Sequence, residues 1–456
     1  MNLIILSSLM GVVMMFSSVL VKNRAAYKHI AAAGLLLLLV FNICESHGCR
    51  LFNIDTTNFL HFEKFGLLFN SVCIFATLIY VLLSGSDIEK VGNNPAESFA
   101  LIFFVLCGVG LVTSYTNMLM LFIGIEILSI PLYILTGSDK KNLKGNEASL
   151  KYFLMGSFST GILLMGIAML YGTGGTFMIE KNGATALSYL EALGMLLVFI
   201  ALSFKVSAAP FHFWTPDVYD GAPTVFTSFM ATVVKVAGFA AFIRLYEIRY
   251  GSMGSQTDRL VGVVIVLTLA FGNLTAVFQQ SVKRMLAYSS IAQAGFMLFA
   301  LFALNDMAKE GLLLYAASYS LATIGIFAVL AKMEDMSIEG FNGFAKSQPL
   351  LAALIVIFFL SLAGIPLTGG FFAKYFMLAA VVKTGSYIGL VVIGVLFAAV
   401  SVYYYFKVIQ AMYFKDGNAA LAAPVSTSFK YLLLLVAVII VVLGVFPNVL
   451  LGMLYF

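Results

Sequence analysis

Between Phe204 and Lys235 the chain reads FKVSAAPFHFWTPDVYDGAPTVFTSFMATVVK. An apolar run carries Lys205, is broken by Pro210, Pro216 and Pro223, and resumes as an apolar stretch with a second lysine, Lys235. Hydrocarbon accepts neither a bare ammonium nor unpaired backbone. Any fold for this chain must place the segment against protein or trapped water. That makes it the expected functional centre.

The rest of the chain is apolar enough to require a membrane. Hydrophobic residues make up 61% of the 456 residues and charged residues 10%, with a mean hydropathy of +1.02. Soluble domains hold roughly 25% charged residues. The sequence predicts an all-α polytopic membrane protein with about 14 transmembrane helices. They fall at 1–21, 27–45, 66–84, 97–115, 117–137, 148–171, 187–209, 224–247, 259–280, 284–304, 310–331, 350–382 (interrupted), 386–413 and 428–454. The first lacks a basic stretch ahead of its apolar run, so it reads as a retained helix and not a cleaved signal.

Fifteen of the 26 Lys and Arg residues fall in alternate loops, beginning with the loop after the first span. The positive-inside bias puts those loops in the cytoplasm and both termini on the opposite side. These loops account for the net charge of +5 and make nucleic acid a poor partner. Cys44 and Cys49 share a loop on the side of the termini, where an oxidising compartment would permit a disulfide. His47 between them does not complete a four-ligand metal set. No glycine-rich nucleotide loop follows a strand, so no ATP or NADH site is expected in this chain.

A second interrupted span reads SLAGIPLTGGFFAKYF, with Gly364, Pro366, Gly369 and Gly370 ahead of Lys374. Paired broken helices in two halves of a chain point to a transport site. These are the seventh and twelfth spans, five apart. An odd-numbered unit leaves its second copy upside down, so spans four to eight and nine to thirteen are expected to be inverted five-helix repeats. The chain then divides into 1–96, 97–247 and 248–414, with a final helix in 415–456. One feature does not match: Lys205 precedes its break, whereas Lys374 follows its own.

Glu126 stands in the middle of the apolar run LFIGIEILSIPLYIL, where a carboxylate costs about 3 kcal/mol on insertion scales. Lys205 is its expected partner, close enough to the break for water to reach. Attraction within a buried acid–amine pair favours charge, while burial favours neutrality. Near balance, small movements change proton occupancy. A static ion pair that fixes packing would explain one such pair. Lys235 and Lys374 add two more amines with no intramembrane acid to balance them, which favours a proton relay. His212 at the break, Lys407 near the end of its span, and the hydroxyls of Tyr315, Ser318, Tyr319 and Ser320 are candidates for access or for holding a water chain. Asp217 and Asp220 read as a solvated loop, and Lys283 with Arg284 as an orientation signal.

The segment from Phe204 to Lys235, together with KRMLAYSSIAQAGFMLFAL (283–301) and SLAGIPLTGGFFAKYFML (361–378), resembles the antiporter-like membrane subunits of respiratory complex I. With LFIGIEILSIPLYIL, the last looks closest to subunit N of the bacterial NADH–quinone oxidoreductase. The resemblance covers nearly the whole chain. It implies a 14-helix inverted-repeat fold in which Glu126 and Lys205 form the key pair, Lys235 is the central lysine and Lys374 the exit-side group. It places NADH, FMN, iron–sulfur clusters and quinone in other subunits, with none bound here. It implies the neighbouring subunit M and the small subunits A, J and K as partners, and the bacterial inner membrane as location. At Gln293 many relatives carry histidine. Glutamine cannot titrate, so the link between halves is expected to run through water and hydroxyls. Two rivals are a subunit of a multicomponent sodium/proton antiporter or membrane-bound hydrogenase, and a structural spacer whose buried charges are inert.

Overall fold

The computed structural model describes residues 1–21, 23–92, 94–179, 188–248, 255–385 and 387–455. Lys22, Lys181 and Arg249, which contribute to the charge bias, lie outside the described residues. The first helices are α1 (Asn2–Leu20), α2 (Ala25–Ser46), α3 (Lys64–Ile88), α4 (Pro95–Ser114), α5 (Met118–Thr136), α6 (Leu143–Gly174), α7 (Tyr189–Lys205), α8 (Trp214–Gly221), α9 (Thr224–Phe229) and α10 (Lys235–Ile248). A π turn, Met230–Val234, joins α9 to α10. Then come α11 (Ser255–Val277), α12 (Val282–Ala303), α13 (Asp306–Leu330), α14 (Phe344–Ser347), α15 (Pro349–Ala363), α16 (Gly369–Lys383), α17 (Ile388–Phe414), α18 (Thr427–Val445) and α19 (Asn448–Leu451).

Among the described residues, 12 helices are long and apolar enough to cross a membrane, with α9, the π turn and α10 counting as one. The shorter α7 and the α15–α16 pair supply the other two expected spans. The chain is a multi-span membrane protein.

Local sequence sets the helix ends. The Asn117 side chain accepts the Leu119 N–H at the start of α5, and the Ser281 hydroxyl accepts the Arg284 N–H at the start of α12. Pro95 and Pro349 open α4 and α15, where the missing N–H is no loss. The π–α10 stretch and α13 are buried on every face, and α12 nearly so. Helices apolar all round belong at the centre of a bundle. Outer helices such as α1 and α17 keep lipid-facing sides.

The two halves share a pair of strap hydrogen bonds. Met118 N–H donates to Phe177 O at 2.8 Å, and Ile179 N–H to Thr116 O at 2.9 Å. In the second half Val282 N–H donates to Met336 O at 2.9 Å, and Ile338 N–H to Gln280 O at 2.8 Å. Each half thus pins the start of its second helix to the strap leaving its third. A Cβ on Gly108 would meet the Leu128 backbone, and one on Gly272 the Ala292 backbone, so α4–α5 and α11–α12 approach equally closely.

Both broken helices end alike. After α7, Ser207 takes a left-handed φ of 63° and Ala208 N–H reaches back to Ser203 O at 2.8 Å. After α15, Gly364 takes a φ of 83° and Ile365 N–H reaches Leu360 O at 3.0 Å. These are the bonds that close a helix whose next residue is left-handed. Pro210 follows in a cis peptide, Pro216 lies in the first turn of α8 and Pro223 caps α9. The break is therefore a short helix and not an open loop. In the second half, Pro366 lies between the half-helices and Gly369 begins α16.

Candidate functional site

Lys205, Lys235 and Lys374 are 8%, 1% and 5% exposed, and none has a carboxylate within ion-pair reach among the described residues. Lys205 is more buried than its place beside a break implied. The Lys205 ammonium lies 5.9 Å from the Tyr133 ring centre. Lys235 Nζ donates to the Ser290 carbonyl and hydroxyl, both at 2.9 Å, with the Tyr219 ring at 5.8 Å. Lys374 Nζ donates to Leu362 O at 2.8 Å and Ala363 O at 3.1 Å, over the Phe296 ring at 4.4 Å. Carbonyls at a helix C-terminus and aromatic faces both carry partial negative charge. They hold an ammonium in place without neutralising it.

The Lys374 contacts resolve the mismatch between the two breaks. Superposing the two helix ends puts Leu362 where Lys205 stands, two residues before the left-handed position. Lys374 starts on the far half-helix and folds its amine back to that carbonyl.

Glu126 and Lys205 are not in contact. The Glu126 carboxylate accepts the Thr160 hydroxyl at 2.7 Å, and Tyr133, on the same helix as Glu126, sets its ring against the Lys205 amine. Tyr133 is buried and its hydroxyl is unpartnered among the described residues. It fits because residue 156 is glycine: a Cβ there would collide with the hydroxyl.

A polar network joins the central and exit-side lysines. Gln293 Nε2 donates to Leu362 O and to the Tyr405 hydroxyl, both at 2.9 Å, and the Tyr315 hydroxyl donates to Gln293 Oε1. Tyr405 also bonds Ser289, next to the Ser290 that holds Lys235. Tyr319 donates to Ala231 O in the π turn at 2.8 Å. A 10 Å³ cavity lies against Tyr315, Ser318, Tyr319, Ser361, Leu362 and Gly370, about the volume one water needs. The Ser318 hydroxyl beside it is unpartnered among the described residues.

At the other end of α8, Lys283 is buried and donates to Asp220 O at 2.9 Å and Ala222 O at 2.6 Å. Asp217 is bridged by Lys151 at 3.0 Å and Arg284 at 2.9 Å. Burial works to raise the Asp217 carboxyl, but these two cations hold it below the usual carboxylate range. Residues 217 and 220 are thus cross-linked to α6 and α12 and are not a free solvated loop.

Residues 116–401 match the family model described as NADH:quinone oxidoreductase/Mrp antiporter, transmembrane. The chain is 39% identical over 460 residues to NADH-quinone oxidoreductase subunit N of Cytophaga hutchinsonii, covering 99% of each. It belongs to the subunit N family. Subunit N of Flavobacterium psychrophilum is 36% identical across 100% of both chains. A chain of respiratory complex I from Thermus thermophilus with bound aureothin matches with a TM-score of 0.84 at 30% identity, covering 99% of each. A chain of the Mrp complex from Dietzia sp. DQ12-45-1b reaches 0.87 at 18% identity, covering 99% of this chain and 95% of that one. That likeness is one of fold alone.

Within this subunit N chain the expected residues separate into groups. Lys235, Gln293, Tyr315 and Lys374 come together through the network, while Glu126 and Lys205 stay out of contact, the acid on Thr160 and the amine against Tyr133. His212 is buried with its ring stacked on Phe213 at 5.0 Å and its Nδ1 unpartnered among the described residues. Lys407 is half-buried on α17, with no ion pair among the described residues. Cys44 and Cys49 are free thiols. Arg244 on α10 is buried and donates to Tyr115 O at 2.6 Å and His61 O at 3.2 Å. Sequence reasoning missed Tyr133, Thr160, Tyr405 and the burial of Lys283. The first of these was visible in principle, seven residues after Glu126 and so on nearly the same helix face.

Proposed function

We propose that this chain moves protons across the bacterial inner membrane as a membrane-arm subunit of an NADH–quinone oxidoreductase. Quinone reduction, with NADH, FMN and iron–sulfur clusters, takes place in other subunits. Subunit M and the small subunits A, J and K are its neighbours, and both termini face the periplasm. The half-channels are 97–247 and 248–414, preceded by three helices and followed by one.

A charge change in the adjoining membrane arm alters Glu126, and Tyr133 passes the change to Lys205. A unit charge at about 8 Å, a reach longer than direct contact, with an effective dielectric near 20 contributes roughly 2 kcal/mol, about one and a half pKa units. That is enough to drive a transfer. Protons load on Lys235 from the cytoplasm and leave by Lys374. Between these two, the path uses Ser289, Tyr405, Tyr315 and water near Ser318 and Tyr319, with Gln293 as a fixed scaffold.

The observation that carries this reading is the set of three buried amines held by carbonyls, hydroxyls and rings, with no acid among the described residues paired to any of them. A packing role would call for neutralised pairs. An antiporter or hydrogenase subunit would share the fold. Full-length identity of 36–39% to subunit N proteins, against 18% to the Mrp chain, favours the oxidoreductase.

In the assembled complex, Lys235→Ala should keep NADH–quinone turnover and assembly while the proton-to-electron ratio falls. An unchanged ratio overturns the role of Lys235. Unaltered pumping after Glu126 and Lys205 are replaced together would make this chain a spacer.

A further inference from the structure

A groove of 640 Å³ opens between α2, α3, α13, α18 and α19. Its walls are apolar, with Leu39 from α2, Leu68 and Phe75 from α3, Leu321 from α13 and Leu443 from α18. Small residues, Ala76 and Ala317, make its floor concave. Two ionisable side chains line it, and both lie at the same end: His47, just past α2, and Lys64, the first residue of α3. Lys64 is half-buried and has no ion-pair partner among the described residues.

The groove follows α3 from Lys64 to Ala76, about 18 Å at helical rise. Hydrocarbon is about 30 Å thick, so the groove is roughly one leaflet deep. A partner's transmembrane helix would need a track across both leaflets. A lipid needs one, with its head where the ammonium stands.

We propose that this groove binds one acyl chain of an anionic phospholipid, whose phosphate pairs with Lys64. The site lies apart from the lysine relay and does not rest on it.

The test uses the intact complex in nanodiscs of phosphatidylcholine containing a minor fraction of phosphatidylglycerol. It is re-extracted in mild detergent, and co-purifying lipid is counted by mass spectrometry. Wild type should retain phosphatidylglycerol in excess of its share. Lys64→Gln, losing one interfacial charge, should lower that excess about fivefold. Ala317→Leu, which fills the floor and leaves the charge, should remove it. If Lys64→Gln does not assemble, the Ala317→Leu comparison still reads the same site. Equal retention in wild type and variants overturns the proposal. So does equal retention of the two lipids in wild type, or a neighbouring subunit's helix seated in the groove of the assembled complex.

Discussion

Glu126 and Lys205 do not touch, so the groups around them set how one senses the other. Tyr133, on the helix of Glu126, offers two features: a ring face toward the ammonium and a buried hydroxyl with no partner among the described residues. A ring–cation contact of this kind is worth about 1 kcal/mol, roughly fivefold in proton occupancy. An unpaired buried hydroxyl costs about 1–3 kcal/mol, a load that is lifted whenever it bonds a neighbour. Tyr133→Leu should therefore lower the proton-to-electron ratio while NADH–quinone turnover persists. Tyr133→Phe, which keeps the ring, should separate the two features. A loss equal to that of Leu assigns the role to the hydroxyl, and a milder one to the ring. Full pumping in both variants would remove Tyr133 from the path. The amines themselves were legible in the sequence, because a lysine inside an apolar run is conspicuous. Their partners were not, because carbonyls, ring faces and hydroxyls leave no mark in a string of letters.

The broken helices show what an element contributes beyond its residues. Each half-helix is closed by a left-handed residue, and in the second copy its last carbonyls, of Leu362 and Ala363, accept from the Lys374 amine on the helix that follows. In the first copy Lys205 belongs to the ending helix, and its amine lies against the Tyr133 ring instead. Gly364 serves twice, since it holds a φ of 83° and a Cβ there would meet Lys374 Cδ at 2.9 Å. Gly364→Ala should cost about 1–2 kcal/mol for the left-handed backbone and push the Lys374 amine off Leu362 O. Thermal unfolding would show the first effect, and reduced pumping at unchanged assembly the second. Unchanged values in both would mean the half-helix end does not position Lys374. Proline and glycine spacing was enough to locate both breaks. The helical form of the first one, α8, was hidden by three prolines, two of which sit where helices accept them, in a first turn and at a cap.

At the scale of the molecule, the repeat had to be argued from helix count, because the copies share few side chains. What they share is backbone: the same strap bonds, the same close approach and the same helix ending. A separate tie binds the N-terminal helices to the second half. Lys332, just past α13, donates to both oxygens of Asp87 on α3 at 2.7 and 2.6 Å, and both side chains are about 10% exposed. Removing one partner strands a nearly buried charge, so Asp87→Ala should destabilise by about 3 kcal/mol, and adding Lys332→Ala should recover part of that loss. Denaturation of the purified complex reads this, and additive losses would contradict a coupled pair. The account as a whole rests on amines that change charge as the enzyme turns over. Infrared difference spectroscopy on complex labelled with ¹⁵N-lysine, triggered with NADH, tests this most directly. Label-shifted ammonium bands should appear during turnover, and Lys235→Ala should remove the Lys235 share of them. Bands that stay constant from resting to active enzyme would show fixed charges and contradict it.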